Sequence, residues 1–407
     1  MMRAGFGMSE LTPPMGVELA GYGYYLGRCA ESVRDPLYAR AVILEAEEEK
    51  SLIICCDVLG LSRTVCDAVI AHAEALGFEA RQVMMVSIHT HTGPCIKYHE
   101  GCGYPDEAYV ATVADRIISA VDEAIADLTP VTGLEQVCAP FGGEHIYNRT
   151  VADGPVDRVL RGFILRRGEE APVAMVSTAC HGVFRGRVTT VSADFAGEIN
   201  RLLTEKGFRS IYLNGLCGDI DPTKMDDALL DDFARLIAGL FLEKSTELPL
   251  TLKVGEIPFT LRLTPVTADD IREAAKMAVE RAGGADKPAA RVALTWEKEM
   301  LAKLDTLTDT EEIRCKYAVL GGVPVLALPF EGFTRIGQDV RRLTGREDTL
   351  VLGCAEELLG YLPTKDDIAR GAYAALESTF LYKRLPVVPG EAERLGEDMG
   401  HALERIL

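Results

Sequence analysis

The stretch YARAVILEAEEEKSLIICCD, residues 38–57, decides the fold class of this chain. Two runs rich in β-branched residues, 38–45 and 51–57, flank a charged EEEK turn, which predicts a β-hairpin. A helical pattern over about 62–77 ends at Gly77, and the apolar run RQVMMVSI at 81–88 predicts another strand. Strands that alternate with amphipathic helices indicate an α/β protein with a mixed β-sheet core flanked by helices.

The same alternation continues along the chain. It predicts helices at about 106–127, 195–206, 226–244, 333–344 and 366–381, and strands near 134–139, 159–166, 172–178, 209–213 and 249–263. Residues 264–310 read as a helical insertion of two helices around a GGADKP turn, and Gly321-Gly322 predicts a hairpin whose second strand returns to Glu331. No repeat or flexible linker interrupts the chain, so residues 1–407 are predicted to form a single large domain.

Composition and charge exclude several functional classes. The 407 residues include 43 Lys and Arg against 62 Asp and Glu, a net charge of −19 that repels phosphate backbones and anionic lipids, so we expect no nucleic-acid partner. No segment approaches the roughly 20 apolar residues needed to span a bilayer, and the N-terminus lacks the apolar run of a secretory signal. Eleven cysteines, an odd number spread over a long chain, favour a reducing compartment. We therefore predict a cytoplasmic protein without membrane insertion, whose oligomeric state no pattern defines.

Three of the seven histidines fall where predicted strands end. His89 and His91 lie two apart in HTHTGP, a spacing that turns both imidazoles to one side, although two polar loop residues would look the same. His181 follows the apolar run PVAMVSTAC, where a buried, hydrogen-bonded histidine is the alternative. Three imidazoles at strand ends, with carboxylates available elsewhere, suit Zn²⁺.

Several short motifs then occur in a fixed order. They are LTPP at 11–14, GYG at 21–23, HTHTGP at 89–94, Asn148-Arg149-Thr150, Cys180-His181-Gly182, NGLCGDIDP at 214–222, PFEG at 329–332 and GYLPT at 360–364. Taken together, over about residues 4–380, they resemble the N-terminal catalytic domain of the neutral (non-lysosomal) ceramidase family. The resemblance implies a zinc amidase.

The resemblance also implies roles for individual residues. The metal ligands would be His89, His181, Glu331 and Tyr361, while His91, Arg149 and Tyr373 would contact the scissile carbonyl. Such a metal brings the pKa of a bound water toward ~7, and the three contacting side chains are donors suited to a developing oxyanion. Arg149 could instead form a surface ion pair, and both tyrosines could be core aromatics.

One motif departs from the family pattern. Ceramidases have Gly-Asp-Val-Ser-Pro where this chain has Gly218-Asp219-Ile220-Asp221-Pro222, so a carboxylate replaces the serine. Because a carboxylate relays protons but cannot form an acyl-serine, we expect direct attack by metal-activated water, with Asp221 or Asp219 as general base. Asp219 could alternatively cap the turn. The sequence leaves no room for the immunoglobulin-like domain of that family, so a membrane sphingolipid is not the expected substrate.

The sequence therefore predicts a zinc-dependent hydrolase that cleaves a carboxamide (N-acyl) bond in a small or amphiphilic acyl substrate. The alternatives are a zinc-dependent esterase or other acyl hydrolase, and a non-catalytic metal-binding member of the fold. A cysteine nucleophile, Cys180 or Cys217, is a rival hypothesis, although Cys180 and His181 point to opposite faces of a strand. Arg185 and Arg187 would suit an acidic substrate group or simply face solvent.

Overall fold

The structure is a computed structural model that describes residues 1–47 and 49–407. Its strands are β1 (Arg3–Glu10), β2 (Ser32–Val33), β3 (Tyr38–Ala46), β4 (Glu49–Cys56), β5 (Val83–Ser87), β6 (Thr129–Pro130), β7 (Gly133–Pro140), β8 (Ile146–Asn148), β9 (Val159–Arg167), β10 (Glu170–Ser177), β11 (Thr190–Val191), β12 (Arg209–Tyr212), β13 (Ile220–Pro222), β14 (Thr246–Leu248), β15 (Leu252–Arg262), β16 (Thr310–Leu320), β17 (Val323–Ala327), β18 (Glu331–Gly332), β19 (Leu350–Leu352) and β20 (Tyr361–Leu362). Its α-helices are α1 (Arg63–Ala75), α2 (Glu107–Ala126), α3 (Asp194–Glu205), α4 (Asp227–Glu243), α5 (Ala268–Ala282), α6 (Pro288–Ala302), α7 (Thr334–Thr344), α8 (Lys365–Arg370), α9 (Glu377–Leu381) and α10 (Glu391–Ile406). The predicted mixed α/β class is confirmed.

The first sheet contains the hairpin predicted from residues 38–57. Its strand order is β5-β4-β3-β1-β6, with β3 antiparallel to both β1 and β4, and β5 parallel to β4. Helix α2 covers this sheet so closely that a Cβ at Gly5 would lie 2.0 Å from the carbonyl oxygen of Ala124. Glycine at this position is therefore what lets the helix reach the strand.

The second sheet has the order β12-β10-β9-β7-β14 and shares one hydrophobic core with the first. Helices α3 and α4 pack together beside it, and the rings of Phe195 and Phe233 meet at 5.5 Å in the buried layer. Strand β12 is parallel to β10, so both strands deliver the residues that follow them to the same edge.

The third sheet, β15-β16-β17-β19, has a separate core. The two helices predicted within 264–310 are present as α5 and α6; α5 starts with a capping box between Thr267 and Asp270 and ends at Gly283, which has a φ of +81°. Trp296 of α6 is 2% exposed and donates to the carbonyl oxygen of Arg384 at 2.9 Å. Whether residues 264–310 are an insertion remains a prediction.

Two predicted elements are wrong. Strand β17 ends at Ala327 rather than at Glu331, because Pro329 has no N–H to continue the ladder, and Glu331 belongs to the separate strand β18. The helix predicted over 366–381 is divided into α8 and α9 by Gly371, with a φ of +63°, and by a turn that holds Tyr373. The sequence pattern also did not predict β1 and α10, which are the first strand and the last helix of the chain.

The three sheets are joined where their strands end. Isolated bridges link Thr90 to Gly182, between the first and second sheets, and Gly215 to Leu352, between the second and third. Segments that follow β5, β10, β12 and β17 are thereby brought to one place. Among the described residues, no helix combines the length and apolar character that a bilayer crossing requires.

Candidate metal centre

The four residues predicted as metal ligands lie together at this junction of the sheets. His89 follows β5 with a φ of +62°, and His181 follows β10. Glu331 and Tyr361 are directly paired in the parallel strands β18 and β20. Each ligand candidate therefore stands at or just beyond a strand end, where backbone hydrogen bonds fix its position.

A single carboxylate oxygen joins the two histidines. Glu331 Oε2 lies 3.1 Å from His89 Nε2 and 3.1 Å from His181 Nε2. The Tyr361 hydroxyl lies 3.2 Å from His181 Nε2. His89, His181 and Glu331 are at most 2% exposed, so this polar cluster is removed from bulk solvent.

The opposite nitrogen of each imidazole is already engaged. His89 Nδ1 donates to the carbonyl oxygen of Leu59 at 2.8 Å, and His181 Nδ1 donates to that of Cys217 at 2.6 Å. A carbonyl only accepts, so in a neutral imidazole the Nε2 atom carries a lone pair. Two lone pairs facing a carboxylate repel one another unless a cation lies between them, and this donor set therefore fits a metal ion.

The electrostatics of the buried cluster point the same way. Burial alone would raise the pKa of Glu331, but the two histidines hold it well below the usual range. Burial and the charge of Arg149 oppose a proton on His181, yet Cys217 and Glu331 outweigh them and raise its pKa to about 10. The histidines thus keep the buried Glu331 carboxylate ionised, which is the state in which it would bind a cation.

Cys217 is a further donor that was not predicted as a ligand. One ligand atom from each of His89, His181 and Cys217 lies within 4.8 Å of the other two, so these three residues could also hold a metal ion. A hydrogen bond with Cys354 lowers the pKa of Cys217 well below its usual value. The only sequence feature that could have indicated Cys217 as a ligand is its position in the tight turn after β12.

Tyr382 was missed altogether. Its hydroxyl donates to Glu331 Oε1, the oxygen that faces away from the histidines, and its ring lies 4.4 Å from that of His99. Tyr382 and His99 come from a helix end and a loop without any motif. Only the tertiary structure brings them to the carboxylate.

Arg149 binds several groups at the edge of the cluster. Its guanidinium donates to the Tyr361 hydroxyl at 2.8 Å, to the carbonyl oxygen of Gly218 at 2.9 Å and to Asp221 at 3.3 Å. The side chain is 22% exposed. Arg149 does form an ion pair, as the alternative interpretation required, but the pair lies inside the site and orients a ligand candidate.

A small cleft opens beside the cluster, and two further predicted residues, His91 and Tyr373, line it. His91 lies in its wall, with its ring centre 5.0 Å from that of His89 and 4.9 Å from that of Tyr22. Neither ring nitrogen of His91 has a hydrogen-bond partner among the described residues. Burial, reinforced by the neighbouring imidazoles, lowers the pKa of His91 well below its usual value and keeps it neutral. Tyr373 is 41% exposed, and its ring lies 5.8 Å from that of Tyr361.

The whole chain superimposes on solved structures with this architecture. A neutral ceramidase from Pseudomonas aeruginosa matches with a TM-score of 0.74 and 17% identity, covering 100% of this chain and 75% of that one. A ceramidase complexed with C2 matches with a TM-score of 0.70 and 16% identity, covering 100% and 76%. The chain has the neutral ceramidase fold. At the sequence level no family model and no curated protein matches it.

Within the neutral ceramidase fold, the two carboxylates of the turn after β12 have different surroundings. Asp219 is 3% exposed and accepts from the backbone N–H and hydroxyl of Thr334 and from the Asn148 amide, at 2.8 to 2.9 Å. It therefore joins three segments of the fold. Asp221 faces Arg149 and lies 3.8 Å from His181 Nδ1, which leaves it as the more available of the two predicted bases.

Proposed function

We propose that this protein is a zinc-dependent hydrolase that cleaves a carboxamide (N-acyl) bond in a small or amphiphilic acyl substrate. The observation that carries the proposal is the convergence of two histidine Nε2 atoms on one buried carboxylate oxygen beside a cleft. The neutral ceramidase fold supports it, because the two solved structures compared above are ceramidases.

The zinc ligands in this proposal are His89, His181 and Glu331, with Tyr361 as the fourth. Bound there, zinc would polarise an acyl carbonyl and lower the pKa of a water molecule. The protein side chains supply the rest of the chemistry. His91 has free ring nitrogens in the cleft wall, and its N–H would donate to the oxygen that gains negative charge as the carbonyl is attacked.

Arg149 and Asp221 complete the proposed set. Arg149 holds the Tyr361 hydroxyl and the Gly218 carbonyl at once, a geometry that its planar guanidinium can satisfy. Asp221 would accept at its carboxylate the proton released by the attacking water and return it to the leaving nitrogen. Tyr373, at the open side of the cleft, would donate to the substrate. Asp219 takes no part in this scheme, because its hydrogen bonds are used within the fold.

Metal analysis of the purified protein and two histidine variants tests this proposal. We expect about one zinc per chain in the wild type, loss of activity on chelation and recovery when zinc is added. His181→Ala should lose both zinc and activity. His72→Ala should keep both, because His72 lies in α1 at the surface and only contacts Asp122. A His181→Ala protein that retains zinc and activity would show that the ligand set is wrong.

The substrate is tested with an amide and an ester of the same acyl chain, for example octanoyl derivatives of ethylamine and ethanol. Zinc-dependent release of octanoate from the amide supports the proposal. Release from the ester alone would favour the esterase alternative. Bound zinc without release from either compound would favour a metal-binding protein that lacks turnover.

A further inference from the structure

Two arginines in the loop after His181 have different environments. Arg185 is paired with Asp227, and its side chain is only 10% exposed. Arg187 is exposed and, in the described part of the chain, has no carboxylate within salt-bridge distance; its guanidinium lies 3.9 Å from the ring centre of Tyr25 and donates to the hydroxyl of that residue. Arg187 is thus a cation held in place by an aromatic ring, without a counter-ion.

Arg187 contacts one tyrosine of the cleft wall. Its guanidinium lies 5.6 Å from the ring centre of Tyr22, and the same ring contacts His91 in the cleft wall. Arg28 also lies over Tyr22, but it is 7% exposed and its donors bind the backbone carbonyls of Ala20 and His91. Of the two arginines at this ring, only Arg187 is free to bind an incoming group.

The acidic groups near Tyr22 already have partners. Asp194 accepts backbone N–H groups of Phe184, Arg185 and Phe195, and Asp221 is paired with Arg149. In a chain with a net charge of −19, an unpaired cation beside a tyrosine of the cleft wall is a local attraction for an anion. Arg187 therefore has the charge and the freedom to recognise a carboxylate.

A mostly apolar groove adjoins the cleft. This shallow groove shares Tyr361 and Tyr382 with the cleft. Its other walls are mostly aliphatic, including Leu359, Pro363, Ile368, Ala375, Leu385 and Val387. A substrate that extends from this groove to Tyr22 would have an apolar chain at the tyrosine pair and an anionic group at Arg187.

We infer that the substrate is an N-acyl amino acid, with its acyl chain in the apolar groove and its carboxylate on Arg187. This inference rests on the function proposed above and specifies the substrate class. Water would add to the acyl carbon, the C–N bond would break, and the amine nitrogen would take the proton. The products would be a fatty carboxylate and a free amino acid.

The experiment compares N-octanoylglycine with its neutral analogue N-octanoylglycinamide. In the wild type, kcat/KM for octanoate release should favour the acid by about ten-fold or more, since a bidentate arginine–carboxylate pair is among the stronger polar contacts. Arg187→Gln should reduce this ratio by about ten-fold, mainly through KM for the acid. Arg187→Lys, which keeps the charge but not the planar fork, should fall between the two.

Arg116→Gln is the matched control. Arg116 also stacks on a tyrosine, 5.8 Å from the ring centre of Tyr109, and likewise has no salt bridge within the residues that the structure describes. It lies in α2, away from the cleft, so its replacement should leave both rates unchanged. Thermal unfolding of each variant would show that the fold is intact.

Two results would overturn the inference. One is an acid-to-amide ratio that Arg187→Gln does not change, and the other is a wild-type enzyme that cleaves the glycinamide as fast as the acid or faster. In either case, cleavage of the amide bond would still support the proposed zinc amidase activity. Failure of the zinc-loaded protein to release octanoate from either compound would instead count against both proposals.

Discussion

Replacing Tyr382 by Phe isolates one hydrogen bond of the proposed metal centre. The change removes a hydroxyl that donates to Glu331 Oε1 and keeps the ring that packs against His99. Glu331 is 2% exposed, so no bulk water can take the place of the lost donor. The carboxylate would then be held only from the side of the histidines.

The size of the effect follows from this burial. A hydrogen bond to a charged group contributes about 1.5–3 kcal/mol, and an unsatisfied buried acceptor costs a similar amount. Groups that orient a metal ligand commonly change metal affinity by about 10- to 100-fold when they are removed. We therefore expect Tyr382→Phe to weaken zinc binding by about 30-fold, which corresponds to about 2 kcal/mol.

Competition with a chromophoric zinc chelator measures this affinity directly. Tyr98→Phe is the matched control, because Tyr98 donates to the Glu100 carboxylate at 2.8 Å and thus loses the same type of hydrogen bond outside the metal centre. The control should bind zinc as the wild type does. If Tyr382→Phe also binds zinc within two-fold of the wild type, Glu331 does not depend on this donor and the reasoning is refuted.

Three further predictions test other parts of the site and fold. Arg149→Lys keeps the charge but loses the planar fork, so kcat should fall about 100-fold in steady-state assays while metal analysis shows zinc retained. Gly21→Ala would place a Cβ 2.3 Å from His91 Nδ1 at a φ of +80°, whereas the Cβ of Gly16→Ala would meet no atom within 4 Å at a φ of +91°. Denaturant unfolding should therefore show a larger loss of unfolding free energy for Gly21→Ala. Equal losses in the two variants would contradict the steric argument. Burial raises the pKa of Asp194 from 3.8 to about 6 despite its hydrogen bonds with backbone N–H groups, so its contribution to stability is full below pH 4 and is lost as the pH rises through 6. The unfolding free energy of the wild type should fall by roughly 3 kcal/mol between pH 4 and pH 6. The Asp194→Asn variant, measured over the same pH range, should not show this fall.

Much of the fold could be predicted because its strands and helices have clear periodicity. The hairpin of β3 and β4 and helix α2 are within one or two residues of their predicted bounds. The errors lie where local pattern and tertiary context disagree. The run from 366 to 381 has helical composition, yet Gly371 adopts a left-handed conformation and ends α8 there.

The site was predictable only as far as its motifs extended. His89 and His181 each end an apolar strand, so they could be proposed from residue order alone. Glu331 and Tyr361 came from the resemblance, and no periodicity indicates that β18 and β20 pair. Tyr382 and Cys217 reach the cluster through contacts between distant segments, which a single sequence does not reveal.

The orientation of the histidines decides between the two ligand sets that the cluster offers. A metal can bind His181 only through a lone pair, and Nδ1 is occupied by its hydrogen bond to the Cys217 carbonyl. The backbone of Cys217 therefore lies at the Nδ1 edge of the ring, whereas Glu331 and Tyr361 lie at the Nε2 edge. A set with Glu331 and Tyr361 keeps the Nδ1 hydrogen bonds of both histidines, because the metal would lie at their Nε2 atoms. Glu331 Oε2 already lies 3.1 Å from the Nε2 atoms of both histidines, so we infer that the carboxylate, rather than Cys217, binds the metal.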